Sequence, residues 1–181
     1  TIRQLKSIKL PHSLGQFYAA ITGFLGFKVQ SDEYKVMGMA SYGKPTFADF
    51  FRNEVFNIRK DGTFRVNTHF LDYHLARQGI FLEKTIRALG KNRLPDEEIT
   101  NQHMDIAKSA QVVLEEALFH MVNHLHRETR VDKLCLAGGV ALNCVANGKL
   151  LDNTPFRQIF VQPAAGDAGT SIGAALYVYH H

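Results

Sequence analysis

Leu134-Cys135-Leu136-Ala137-Gly138-Gly139-Val140-Ala141-Leu142-Asn143 is the stretch that decides the fold class of this chain. The short apolar run after Lys133 predicts a buried strand, and the glycine pair predicts a tight turn directly into a helix reaching about Leu151. Upstream, Ile106, Ala110, Val113, Leu114, Ala117, Leu118, Met121, Val122 and Leu125 form a broad apolar stripe, predicting a long helix from about Ile99 to Thr129. Downstream of Pro155, Ile159 to Gln162 predicts a second buried strand, Pro163 to Gly169 a loop, and Thr170 to Tyr179 a final helix. Helix, strand, Gly-turn, helix, strand, Gly-turn, helix is an α/β order with at least two parallel strands.

The preceding part reads differently. Ser13 to Phe27 predicts a helix capped by Ser13 and stopped at Gly26, and Asp32 to Ala40 a shorter one ending in Ser41-Tyr42-Gly43-Lys44-Pro45. Around Asp61-Gly62 the pattern alternates, which predicts a β-hairpin within 54–67. Phe70 to Arg93 reads as loop with a short helix near Leu82 to Leu89. No repeat or linker divides the chain, so 1–181 is expected to form one domain.

Composition sets the outer bounds. A chain of 181 residues with 45% apolar content can bury a substantial core. Its apolar runs stop short of the ~20 residues a membrane span needs, and its opening shows no secretory pattern. Cys135 and Cys144 are too few for a disulfide scaffold and are expected to be buried thiols in a reducing cytoplasm. Net charge is +4, but Lys84, Arg87, Lys91 and Arg93 read as a solvated helix face, so nucleic acid is not expected; a small anion fits.

The glycine turn carries the clearest chemistry. Without Cβ atoms, the Gly138-Gly139 backbone can approach a ligand, and the amides opening the next helix suit phosphate. Asn143, in the expected first turn, could reach sugar or phosphate oxygens. The alternative is that the glycines only permit close helix–strand packing. A second turn, Gln162-Pro163-Ala164-Ala165-Gly166-Asp167-Ala168-Gly169, follows the second strand. In open α/β sheets ligands lie beyond the carboxyl ends of the strands, so Asp167 is the carboxylate placed for a metal or metal-bound phosphate. Its alternative role is a helix N-cap. His120, His124 and His126 mimic ligand spacing but read as surface histidines, and His12 as a core or cap residue. The pair His180-His181 carries no weight. No Walker loop, CxxC or Ser/His/Asp order appears.

Taken together, several blocks resemble the carbamoyltransferase family that includes nodulation protein U and antibiotic O-carbamoyltransferases. They are Pro11-His12-Ser13-Leu14-Gly15 with Tyr18, Glu33 to Gly43, Leu136 to Asn143, and Gln162 to Gly169 with Ile172-Gly173-Ala174-Ala175. The resemblance implies the actin/sugar-kinase/Hsp70-type ATPase fold (ribonuclease H-like), here a truncated second lobe with a β-hairpin insertion. It implies transfer of a carbamoyl group from carbamoyl-adenylate, made from carbamoyl phosphate and ATP, to an acceptor hydroxyl. By that resemblance Gly138, Gly139, Val140, Asn143 and Gly166 are expected to contact nucleotide. Lys35 and Gly43 are expected near it, and Asp167 is expected to ligate a divalent metal, iron or magnesium.

The family's His-x-x-x-His metal pair is expected in a preceding lobe, and adenylate formation in a YrdC-like domain, neither of which this sequence contains. Thr1 in place of Met points the same way. The chain is therefore expected to be an inactive, cytoplasmic fragment whose bared lobe face promotes self-association. Related readings are threonylcarbamoyl transfer to tRNA, a sugar kinase, or a non-catalytic ATP-binding assembly module.

Overall fold

The computed structural model describes residues 3–180; Thr1, Ile2 and His181, the last half of the terminal histidine pair, lie outside the described residues. The chain groups into two compact units, the first ending at Met121 and the second beginning at Val122. The division falls inside a continuous helix and not at a linker.

In the first unit, α1 (Leu14–Phe24) starts where Ser13 accepts a hydrogen bond from the Gln16 amide at 3.3 Å. It ends at Gly26, whose φ of +74° and 2.7 Å clearance between a Cβ and the Arg93 carbonyl admit only glycine. Helix α2 (Glu33–Met39) follows, then the short α3 (Ala48–Phe50), which continues into a π-helical turn over Phe51–Val55. Strands β1 (Phe56–Ile58) and β2 (Phe64–Val66) pair antiparallel with Phe56 opposite Val66. Their five-residue connection closes with Gly62 N–H on Arg59 O, and Gly62 takes a positive φ of 82°.

Between the hairpin and α5 (Glu83–Leu89) stands α4 (Tyr73–Arg77), where only loop was expected. Five residues are too few for a helical period to show in sequence. The core is aromatic: Phe17 meets Phe51 and Phe56 edge-on at 5.4 and 4.7 Å, and Phe24 meets Phe81 at 5.0 Å. Tyr18 donates to Gln111 at 2.8 Å and Gln111 to Glu115 at 2.8 Å, so the buried polar groups of this core form a chain of hydrogen bonds.

The long helix α6 (Asn101–Thr129) covers nearly the span expected for it. Beyond it, in the second unit, β3 (Lys133–Leu136) and β4 (Gln158–Val161) pair in parallel with Leu134 opposite Ile159. Three expectations need correction here. The single helix after the glycines is instead a 3₁₀ turn over Gly139–Leu142, then α7 (Cys144–Asn147) and α8 (Leu150–Asn153). Asn147 Nδ2 donates to the Ala141 carbonyl and Asn143 caps Ala146, and such side-chain bonds compete with a continuous helix. The strands are only partly buried, with Phe160 57% exposed. Both cysteines are exposed as well, Cys135 because it occupies the outward face of β3 and Cys144 because it opens α7. The terminal helix α9 (Gly169–His180) has no buried residue.

Candidate functional site

In the second unit the structure brings the two predicted turns together. Gly138 N–H donates to the Ala165 carbonyl at 2.6 Å, while Gln162 N–H donates to Leu136 O at 3.1 Å and extends the strand ladder. Because β3 and β4 are parallel, both turns leave the same sheet edge. Gly138 takes φ +99° and ψ 166°, a conformation side chains do not tolerate. A Cβ on Gly138 or on Gly139 would meet nothing within 4 Å. Close packing therefore does not explain the pair: Gly138 answers to backbone conformation, and Gly139 faces open space. The amides of Gly139 and Val140 make no backbone hydrogen bond among the described residues.

Asn143 has a different local role from the one expected. It is 5% exposed and its Oδ1 accepts from Ala146 N–H at 2.9 Å, capping α7 instead of standing in the first turn of a helix begun at the glycines. It fixes the end of the 3₁₀ turn. Gly166 follows Ala165, with the Leu142 Cδ1 atom 3.9 Å from where its Cβ would be, and its carbonyl accepts from Gly169. Asp167 is exposed, and its carboxylate makes no hydrogen bond or ion pair among the described residues. Helix α9 begins two residues later, and it is the Asp167 backbone carbonyl that bonds, accepting from the Thr170 amide and hydroxyl. The capping role is thus unused.

A divalent metal fits these residues only in part. Asp167 offers one free carboxylate, yet no group of three His, Cys, Asp or Glu among the described residues could hold an ion. Any metal here needs ligands beyond those the described residues group together.

The histidines are less exposed than expected. His120 Nε2 donates to the Arg59 carbonyl at 2.7 Å. His124, its side chain 14% exposed, lies 3.8 Å from Glu128, and His126 lies 3.8 Å from Asp132 with its ring edge-on to Phe156. His12 Nδ1 accepts from the Val66 amide at 3.2 Å and so anchors the hairpin.

Lys35 and Gly43 belong to the first unit. Lys35 pairs with Asp32 at 3.0 Å; the hydrogen bond to Asp32 raises the ammonium pKa, and the same bond holds the carboxyl below its ordinary range. Gly43 is packed so tightly that a Cβ would fall 2.0 Å from the Met104 carbonyl, so sterics require glycine there. Arg93, expected on a solvated helix face, is instead buried and lies beyond the end of α5. Its buried guanidinium donates to the carbonyls of Leu25, Pro95 and Glu97 and lies 4.8 Å from the Phe27 ring centroid. An arginine inside a basic run carried no signal of burial.

Residues 2–176 match the family model described as Carbamoyltransferase N-terminus. Nodulation protein NolO of Bradyrhizobium diazoefficiens is 43% identical over 178 residues, covering 98% of this chain and 30% of that protein. Nodulation protein NolNO of Sinorhizobium fredii is 40% identical over 176 residues, covering 97% of this chain and 24% of that protein. The protein sll1178 of Synechocystis sp. is 47% identical over 175 residues, 96% of this chain and 28% of its own length. The chain belongs to the carbamoyltransferase family. It spans less than a third of the length of each of these relatives.

Proposed function

We propose that this chain supplies the nucleotide-facing wall of a carbamoyltransferase that passes a carbamoyl group from carbamoyl-adenylate to an acceptor hydroxyl. In that reaction the acceptor oxygen bonds to the carbamoyl carbon, and the bond from that carbon to the adenylate oxygen breaks. AMP leaves with the electron pair and the hydroxyl proton is released. The supporting observation is the open Gly138-Gly139 turn, hydrogen-bonded to the Ala165–Asp167 turn beyond the carboxyl ends of two parallel strands. Such an edge is where α/β sheets bind nucleotides.

In this reading Gly139 and Val140 present amides to a phosphate, Gly138 and Asn143 hold the turn in shape, and Gly166 keeps the facing wall low. Asp167 contributes one ligand to a metal completed by the rest of the parent protein. The fold is that of the actin-like ATPases, and the remaining lobe and adenylate-forming domain lie in the larger protein. A preformed backbone cradle favours the developing phosphate charge of the leaving AMP.

Calorimetric titration of ATP with magnesium tests this against Gly139→Ala and Asp167→Asn. Binding weakened about tenfold in each variant supports the assignment, a loss of ~1.4 kcal/mol being typical of one lost charged or close backbone contact. Equal binding by all three chains removes it.

A further inference from the structure

The first unit holds a cleft of about 640 Å³ beside the α1–α2 connection, with Phe27, Lys28, Asp32, Lys35, Arg77 and Arg93 in its lining. Its size falls in the roughly 300–1,000 Å³ range of small-molecule sites. Among the described lining residues four cations meet one carboxylate, and four minus one leaves a surplus of three positive charges. That surplus is comparable with the +4 of the entire chain.

The charges are poorly neutralised by the protein itself. Asp32 is already engaged by the Lys35 ammonium at 3.0 Å and the Lys28 amide at 3.1 Å. Arg93 is held by carbonyl oxygens alone, and no carboxylate pairs with it among the described residues. Arg77 gives one nitrogen to the neutral Gln16 amide oxygen at 2.9 Å. The Lys28 ammonium has no hydrogen bond or ion pair among the described residues. A concave wall of one sign focuses its field and draws in a counter-ion.

The Phe27 ring is engaged by Arg93 at 4.8 Å and Lys35 at 5.7 Å. It orders the cations instead of offering a free face to an aromatic ligand. An ammonium and a guanidinium fork in one lining match the oxygens of a phosphate group.

We propose that this cleft binds a phosphate-bearing small molecule through Lys28, Lys35 and Arg77, with Arg93 as a fixed charge behind them. The cleft is lined by first-unit residues alone. The phosphate can be free polyphosphate or the tail of a nucleotide.

Calorimetry on the 181-residue chain at constant ionic strength, with phosphate, pyrophosphate and ATP as probes, tests it. Pyrophosphate binds saturably, and the double variant Lys28→Gln/Arg77→Gln binds at least about tenfold more weakly. The charge-keeping double variant Lys28→Arg/Arg77→Lys stays within about threefold of wild type. Gly139→Ala and Asp167→Asn leave pyrophosphate affinity unchanged. In the Gly139→Ala chain, ATP binding tighter than pyrophosphate and weakened by adding Lys28→Gln/Arg77→Gln marks the ligand as nucleotide-borne, and equal binding marks it as free polyphosphate. No saturable binding of any probe overturns the proposal, as does unchanged affinity in the Lys28→Gln/Arg77→Gln chain. Binding lost only in Gly139→Ala moves the anion to the turn and also overturns it. Both side chains are exposed, and matching thermal melts confirm that the variants are folded.

Discussion

The amide of Gly138 and the carbonyl of Ala165 lie 2.6 Å apart, and this one hydrogen bond ties the turn after β3 to the turn after β4. Gly138 makes it from a backbone at φ +99° and ψ 166°, which side chains do not tolerate. Gly138→Ala is therefore expected to cost about 1–3 kcal/mol in urea unfolding. Gly139→Ala, with open space around its Cβ position, should stay within about 0.5 kcal/mol. Equal destabilisation by both would refute the distinction between a conformational and a ligand-facing glycine.

Gly43 makes the opposite case, since it is fixed by a neighbour and not by φ. A methyl group there collides with the Met104 backbone at the start of α6. Gly43→Ala should destabilise by roughly 1–3 kcal/mol, as overpacking does. A near-neutral denaturation midpoint would mean the α2–α6 approach relaxes freely.

Arg93 offers a further test of what holds the first unit together. Replacing it with Met leaves the carbonyls of Leu25, Pro95 and Glu97 without their donor. A loss of about 2–4 kcal/mol is expected from chemical denaturation. Arg93→Lys should recover only part of it, because an ammonium cannot span the same carbonyl set.

These positions show what the sequence discloses. The Ser13 cap, the Asp61-Gly62 hairpin, the long α6 and the β3–β4 pair were legible because each is written in local period or turn chemistry. The break-up of the helix after Gly139 was not, since it depends on where the Asn143 and Asn147 amides go. The exposure of Cys135 and Phe160 was hidden for a related reason: apolar strands read as buried, whatever covers them. The cleft around Arg93 was hidden because its cations are scattered in sequence and meet only in the fold.

His103 gives the first unit a pH dependence of definite sign. Burial, then the charge of Arg93, lowers its pKa, against a smaller opposing pull from Glu97. Its Nδ1 accepts from the Thr100 amide at 3.1 Å at the start of α6, which needs the unprotonated nitrogen. A depressed histidine pKa contributes stability that is present above the unfolded value of about 6.5 and lost as pH falls through the folded value. The melting temperature should therefore drop between pH 7.5 and pH 5, and His103→Gln should flatten that slope. A slope unchanged in the variant would assign the effect to other groups.

The second unit sets the last expectation. Phe160, Ile172, Leu176, Val178 and Tyr179 are each between 44% and 82% exposed, and α9 buries none of its residues. Isolated parallel strands and an apolar helix left in water form a surface that other protein normally covers. At tens of micromolar the chain should self-associate by multi-angle light scattering. Association should weaken when Leu176 and Val178 are both replaced by Ser, with far-UV circular dichroism unchanged. A sharp monomer peak for the wild-type chain across that range would show that this apolar face tolerates water without a second copy.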